Sequence, residues 1–170
     1  MIRRFSVLIF LVCVGLIFSI LGLGCEKKES KEQVKETIPV TEPEKMLGID
    51  LKAQIIADSM PKSAKAGTII ILPVKVKNLS NFTWPAKSSN PVHLSYHWLD
   101  KDGKKAVVWD GVRTILPKDL APGEELLLNP KIEVPKTIGN YILELDLVQE
   151  KIAWFGKKGS ATVKTTIIVK

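Results

Sequence analysis

Residues 141–155 read YILELDLVQEKIAWF. Tyr141, Leu143, Leu145 and Leu147 share one phase of a period-two repeat, and Glu144 and Asp146 share the other. Successive side chains of a strand point to opposite faces, so this run predicts a strand with an apolar and a polar side. The leucine face predicts a core. The acidic face predicts solvent, but it also poses a question of chemistry. Carboxylates at i and i+2 of a strand stand about 7 Å apart, within the span a glycosidase pair needs.

The same alternation extends outward in both directions. In 91–99, Val92, Leu94, Tyr96 and Trp98 point one way and His93, Ser95 and His97 the other. In 70–77, Ile70, Leu72, Val74 and Val76 point inward, with Lys75 and Lys77 outward. Pro73 removes a ladder donor there and predicts an edge or a bulge. Strands are expected near 50–57, 67–78, 91–99, 105–109, 123–134, 139–149 and 160–169, with shorter pieces near 113–115 and 151–155. Turn residues separate them at Pro61–Gly67, Asn78–Asn81, Asp102-Gly103, Ala121-Pro122-Gly123, Pro135–Gly139 and Gly156–Gly159. Short strands at this spacing are the mark of an all-β sandwich or barrel. From Ile49 onward roughly 120 residues remain, enough for one core and not two.

The chain before this domain is different in kind. Residues 1–25, MIRRFSVLIFLVCVGLIFSILGLGC, place Arg3 and Arg4 before an uncharged apolar run. That is the pattern of an export signal or a membrane-anchoring helix. LGLGC resembles a bacterial lipoprotein signal with Cys25 as the lipidated first residue of the mature protein. It departs from the usual box in having Gly22 and Leu23 before Gly24-Cys25. The alternatives are an uncleaved anchor, since such a run is long enough to span a bilayer, and ordinary secretion. In all three cases the domain is expected outside the cytoplasm, and the lipoprotein resemblance implies the cell envelope of a bacterium. Residues 26–47 are rich in Lys and Glu and broken by Pro39 and Pro43, which predicts a disordered tether. The Lys/Glu spacing over 27–36 is compatible with a short helix there, polar on every side. The expected organisation is therefore a signal or anchor over 1–25, a linker over 26–47 and a sandwich over 48–170.

No cysteine follows Cys25, which excludes a disulfide, a thiolate metal site and a cysteine nucleophile from the exported part. Without Arg3 and Arg4, 23 basic residues stand against 18 acidic ones. The lysines are scattered rather than clustered among aromatics, which argues against nucleic acid as a partner.

VKNLSNFTWP, PVHLSYHWLDKDG, VVWDGVRTILPKDLAPGE, VPKTIGNYILELDLVQEKIAWF and TTIIVK occur in an order that resembles an immunoglobulin-like sandwich. The resemblance is to a bacterial domain found beside sugar-transferring and polysaccharide-associated modules in envelope proteins. More remotely, the chain is similar to the four-tryptophan domain of autophagy receptors, and it too has four: Trp84, Trp98, Trp109 and Trp154. The resemblance implies an antiparallel immunoglobulin-like fold over about 66–169, with Trp98 packed between sheets. It implies little about function, because such sandwiches host many roles.

His93 and His97 share a strand face but stand roughly 13 Å apart, too far to share one metal ion. No metal or other cofactor is expected, and His97 is expected at the surface or rim. There is no nucleophile-elbow motif. Asn78-Leu79-Ser80 and Asn81-Phe82-Thr83 match glycosylation acceptors but are read as turn residues. The constellation that remains is Trp109, Asp110 and Arg113 with Asp146, Glu150 and Trp154. Aromatic planes beside carboxylates and a guanidinium suit sugar hydroxyls. The blander and favoured reading is that Arg113 pairs with Asp146 or Glu150 and locks a loop to the sheet. The expected function is a non-catalytic, membrane-attached binding module for cell-surface polysaccharide or a partner envelope protein. The alternatives are a glycan-processing enzyme using Asp146 and Glu150, and a purely structural or assembly module.

Overall fold

The computed structural model describes residues 48–170. The signal or anchor expected over 1–25 with Cys25, and the tether over 26–47, lie outside the described residues. The strands follow in order as β1 (Ala53–Ile56), β2 (Ser63–Ala64), β3 (Ile69–Ile71), β4 (Val74–Asn78), β5 (Val92–Leu99) and β6 (Ala106–Val108). Then come β7 (Thr114–Ile115), β8 (Glu125–Leu128), β9 (Lys131–Glu133), β10 (Gly139–Gln149), β11 (Ala153–Trp154) and β12 (Val163–Val169). A 3-10 turn, Gly156–Lys158, separates β11 from β12.

These strands form an all-β sandwich. One sheet has the order β1-β4-β8, and the larger one runs β2-β12-β10-β5-β6, with β11 on β10 and β7 on β5. All pairings are antiparallel except β2 with β12, where the chain crosses from the first sheet to the second. A first strand divided between both sheets, with β1-β4-β8 opposite β12-β10-β5, is the immunoglobulin-like order. The short β3–β9 pair continues the β4–β8 ladder beyond a break. Pro73 lies in that break on one strand and Pro130 on the other, so neither has to supply a ladder N–H. Pro73 therefore marks an interruption of a central strand; β4 itself is not an edge, being paired on both sides.

The inward faces are those the alternation gives. Leu72, Val74, Val76, Leu128 and Ile132 meet Leu94, Tyr96, Trp98, Leu143, Leu145, Leu147 and Ile167, all buried. Each fully buried leucine contributes about 1.5–3 kcal/mol over leaving it exposed. Trp98 is buried as expected, and its indole N–H donates to the Glu133 carbonyl (2.8 Å), so its burial leaves no polar atom unpaired. Trp84 is buried as well, with its N–H on Ser80 Oγ (2.9 Å) and its ring edge-to-face with Phe155. The Asn78–Ser80 turn is internal framework. Asn78 Nδ2 donates to the Phe82 and Leu120 carbonyls, and Asn78 Oδ1 accepts from the Ser80 N–H. The stretch 61–67, expected as turn throughout, holds the two-residue β2.

The polar face of β5 and β10 departs from expectation. Asp146 is only 3% exposed and His97 only 1%, so neither belongs to a solvated face or a rim. Ser95 is buried beside them, and Glu144 is half-buried. Two chain segments fold across this face and cover it.

Candidate functional site

The first covering segment is Trp109–Arg113, between β6 and β7. The Gly111 N–H donates to the Tyr96 carbonyl (3.1 Å), and Ser95 Oγ donates to the Gly111 carbonyl (2.9 Å). A side chain at position 111 would meet the Tyr96 carbonyl oxygen at 2.5 Å and the Tyr96 ring at 2.7 Å. Only glycine lets the backbone lie this close to the strand. The approach carries the Trp109 ring onto the His97 imidazole, stacked at 3.9 Å with 12° between planes. His97 Nδ1 donates to the Trp109 carbonyl, which fixes the imidazole orientation.

The second segment is Trp154–Lys158. The Gly156 N–H donates to Asp146 Oδ1 (3.0 Å), which also accepts from the Leu147 N–H (2.7 Å). A side chain at position 156 would sit 2.8 Å from Asp146 Oδ2. Glycine is again what permits the contact. Trp154 leans on His97 at 4.3 Å and lies edge-on to Trp109 at 5.9 Å. His97 is thus enclosed by two indoles. Its Nε2 has no hydrogen-bond partner among the described residues and lies 3.7 Å from Asp146 Oδ2, beyond hydrogen-bond reach.

Arg113 ties the cluster together, and of the two carboxylates expected for it, it takes Glu150. Its Nε donates to Glu150 Oε1 (2.6 Å), and its NH1 group donates to Asp110 Oδ1 (2.6 Å) and the Gly111 carbonyl (2.8 Å). Glu150 Oε1 also meets His93 Nδ1 (3.1 Å). No Arg113–Asp146 pair forms; Asp146 serves Gly156 instead. Burial acts to raise the Glu150 carboxyl, but hydrogen bonds from Arg113 and His93, with their charge, outweigh it and hold it below the usual range. Burial likewise acts to lower Arg113, and its bonds to Glu150 and Asp110 leave it above the ordinary guanidinium value.

Of the six residues singled out in the sequence, Trp109, Asp110, Arg113, Glu150 and Trp154 converge, and Asp146, opposite Ser95 on β10, bonds to Gly156 rather than to Arg113. The sequence reading missed His97, Ser95, Gly111 and Gly156 as members. The signal available for the glycines was their position, each within two residues of a tryptophan on a polar stretch. Arg113 stacks over Trp154 (4.9 Å) and Lys157 over Trp109 (4.7 Å), so each indole already carries a cation.

Two cavities open beside the cluster. The larger, about 370 Å³, is walled by Glu144, Asp146, Lys104, Lys157, Lys164, Ser160, Thr162 and Trp109 among others. The smaller, about 310 Å³, lies against Arg113, Glu150, Ile152 and Trp154. Trp109 borders both and is 39% exposed. Among the described residues, no three His, Asp or Glu side chains are placed to hold a metal ion.

No family model matches the chain, and no curated protein matches it. Among solved structures it is similar to a CARDB domain from Pyrococcus furiosus (18% identity, 72% of this chain, 97% of that chain, TM-score 0.36). A family 123 glycoside hydrolase from Clostridium perfringens shares 9% identity over 69% of this chain and 27% of its own, with a TM-score of 0.35. A PapD-like domain of human CEP192 shares 12% identity over 85% of this chain and 96% of its own, with a TM-score of 0.30. These scores are low, and the immunoglobulin-like assignment rests on the strand order.

Proposed function

We propose that this protein is a non-catalytic binding module that takes cell-surface polysaccharide on the outer face of its larger sheet. We further propose that it is held at the bacterial envelope through lipidated Cys25. The observation that carries the binding reading is Trp109. Its half-exposed ring stands between two cavities whose walls interleave carboxylates, hydroxyls, ammonium groups and a guanidinium. Such walls match sugar hydroxyls, each of which donates and accepts at once.

Catalysis by Asp146 and Glu150 is disfavoured by their placement. They border different cavities, so no single glycosidic bond lies between them. A general acid needs a raised pKa, and Glu150 is held low by Arg113. Asp146 is committed to the Leu147 and Gly156 amides.

The test is a glycan array probed with residues 48–170, which contain both sheets and the entire core described above. Binding that Trp109→Ala abolishes, without loss of the folded state, supports the reading. Absence of glycan binding together with capture by a purified envelope protein replaces polysaccharide with a protein partner. Product formation from a bound glycan overturns the non-catalytic assignment.

A further inference from the structure

The larger cavity differs from the Arg113 cluster in its chemistry. Its floor and one wall come from the outer faces of β5 and β10, through His97, Glu144 and Asp146; Gly156, Ser160 and Thr162 close a second side. Lys104 and Lys157 bring ammonium groups to its lining, and among the described residues neither has a carboxylate within salt-bridge distance. Lys164 pairs with Glu144 (3.2 Å), and Thr162 Oγ1 donates to the same carboxylate (2.7 Å). Next to Asp146 Oδ2 lies the unpaired His97 Nε2, on a side chain that is almost wholly buried. With Nδ1 donating to the Trp109 carbonyl, Nε2 is the ring nitrogen left without a partner. A carboxylate oxygen and an unpartnered ring nitrogen therefore lie together at the base of a cavity rich in ammonium donors.

We propose that this cavity is a subsite for one neutral, pyranose-sized polyol residue, with two adjacent hydroxyls directed at the Asp146–His97 base. The proposal rests on the polysaccharide reading above and assigns its primary subsite and charge class. A hydroxyl gives its proton to an acceptor and takes a hydrogen bond on its oxygen, so vicinal hydroxyls use the carboxylates and the lysines together. An acidic residue would set its carboxylate against Glu144 and Asp146. A cationic residue would meet Lys104, Lys157 and Lys164. Both charged classes meet repulsion as well as attraction in a lining of three ammonium groups and two carboxylates, whereas the hydroxyls of a neutral polyol find only hydrogen-bond partners there. The volume lies within the range of small-ligand sites. The Trp109 ring, stacked on His97, is the wall that must shift for a hydroxyl to reach Nε2.

The experiment is calorimetric titration of the full-length chain in a zwitterionic, sugar-free detergent. The titrants are neutral hexasaccharides (of glucose, xylose, mannose and galactose), hexagalacturonate and hexaglucosamine. Ala106 lines this cavity from the exposed edge strand β6 and does not line the cavity beside Arg113, so Ala106→Trp puts an indole into the larger cavity alone. At least one neutral hexasaccharide is expected to bind tenfold or more tighter than either charged one, and Ala106→Trp should lose tenfold or more. Should that variant fold poorly, Lys104→Glu on the exposed hairpin supplies the second reading, with a similar loss expected. Tighter binding of a charged hexasaccharide overturns the neutral assignment. Neutral binding that survives Ala106→Trp and Lys104→Glu but not Trp109→Ala overturns the cavity and leaves the outer-face reading standing. No binding by any hexasaccharide overturns both.

Discussion

Replacing Arg113 and Glu150, singly and together, measures what holds the Trp109–Arg113 segment on the sheet. The Nε–Oε1 distance is 2.6 Å, and the side chains are 24% and 27% exposed, so solvent screens the pair only in part. A hydrogen bond between charged groups is worth about 1.5–3 kcal/mol when well shielded, and exposed pairs fall below about 1 kcal/mol. This intermediate burial places the Arg113→Met and Glu150→Gln coupling at about 1–2 kcal/mol. Chemical denaturation of the four proteins reads it directly, provided the slopes agree. Arg113→Met with Asp146→Asn is the control and should be additive to within about 0.5 kcal/mol, because no hydrogen bond or ion pair joins the two side chains. Asp146→Asn alone should cost less than about 1 kcal/mol. Its amide oxygen still accepts the Leu147 and Gly156 N–H groups. Coupling below about 0.5 kcal/mol for Arg113–Glu150, or larger coupling for Arg113–Asp146, would refute the reasoning.

Gly111→Ala should destabilise by more than about 2 kcal/mol, since the added methyl meets the Tyr96 carbonyl, which belongs to a central strand and cannot retreat; a melting point within a few degrees of the parent contradicts it. Trp98→Ala should cost about 3–5 kcal/mol through the cavity it leaves and the orphaned Glu133 carbonyl, measured by urea unfolding. Because the Glu150 pKa is lowered by folding, its contribution is present above the unfolded value of 4.5 and is lost as pH falls through the folded value. The stability gap between the parent and Glu150→Gln should therefore be constant near neutrality and close below that pH. Cys25→Ser should abolish labelling by a fatty-acid analogue and leave an uncleaved precursor.

Much of the fold is legible in the sequence because a sandwich core is written with period two. Leu143, Leu145 and Leu147 keep one phase through β10, and Val92 to Trp98 do the same through β5. What alternation cannot show is whether the opposite face is wet. His97 and Asp146 carry a surface pattern and lie buried, because segments 12 and 10 residues further along the chain fold back over them through Trp109 and Gly156. Polar residues tolerate burial when each finds a partner, and the partners here are mostly backbone amides and carbonyls, which are invisible in side-chain identity. The lone arginine of the domain was a legible sign of a forked ion pair. Which carboxylate it would take was not. Glu150 and Asp110 lie on loops that curl toward Arg113, whereas Asp146, on the strand opposite Ser95, is taken by the Leu147 and Gly156 amides. The two-residue β2 carries too few residues to show any period.

The central claim, that the outer face of the larger sheet binds saccharide, has a direct readout in the indole N–H signals of the four tryptophans. Trp109 and Trp154 lie on that face; Trp84 and Trp98 lie in the core with their N–H groups bonded to Ser80 and Glu133. Titrating the 15N-labelled protein with the neutral hexasaccharides should shift the Trp109 and Trp154 signals and leave those of Trp84 and Trp98 in place. Four unmoved indoles at millimolar sugar, or movement confined to Trp84 and Trp98, would contradict it.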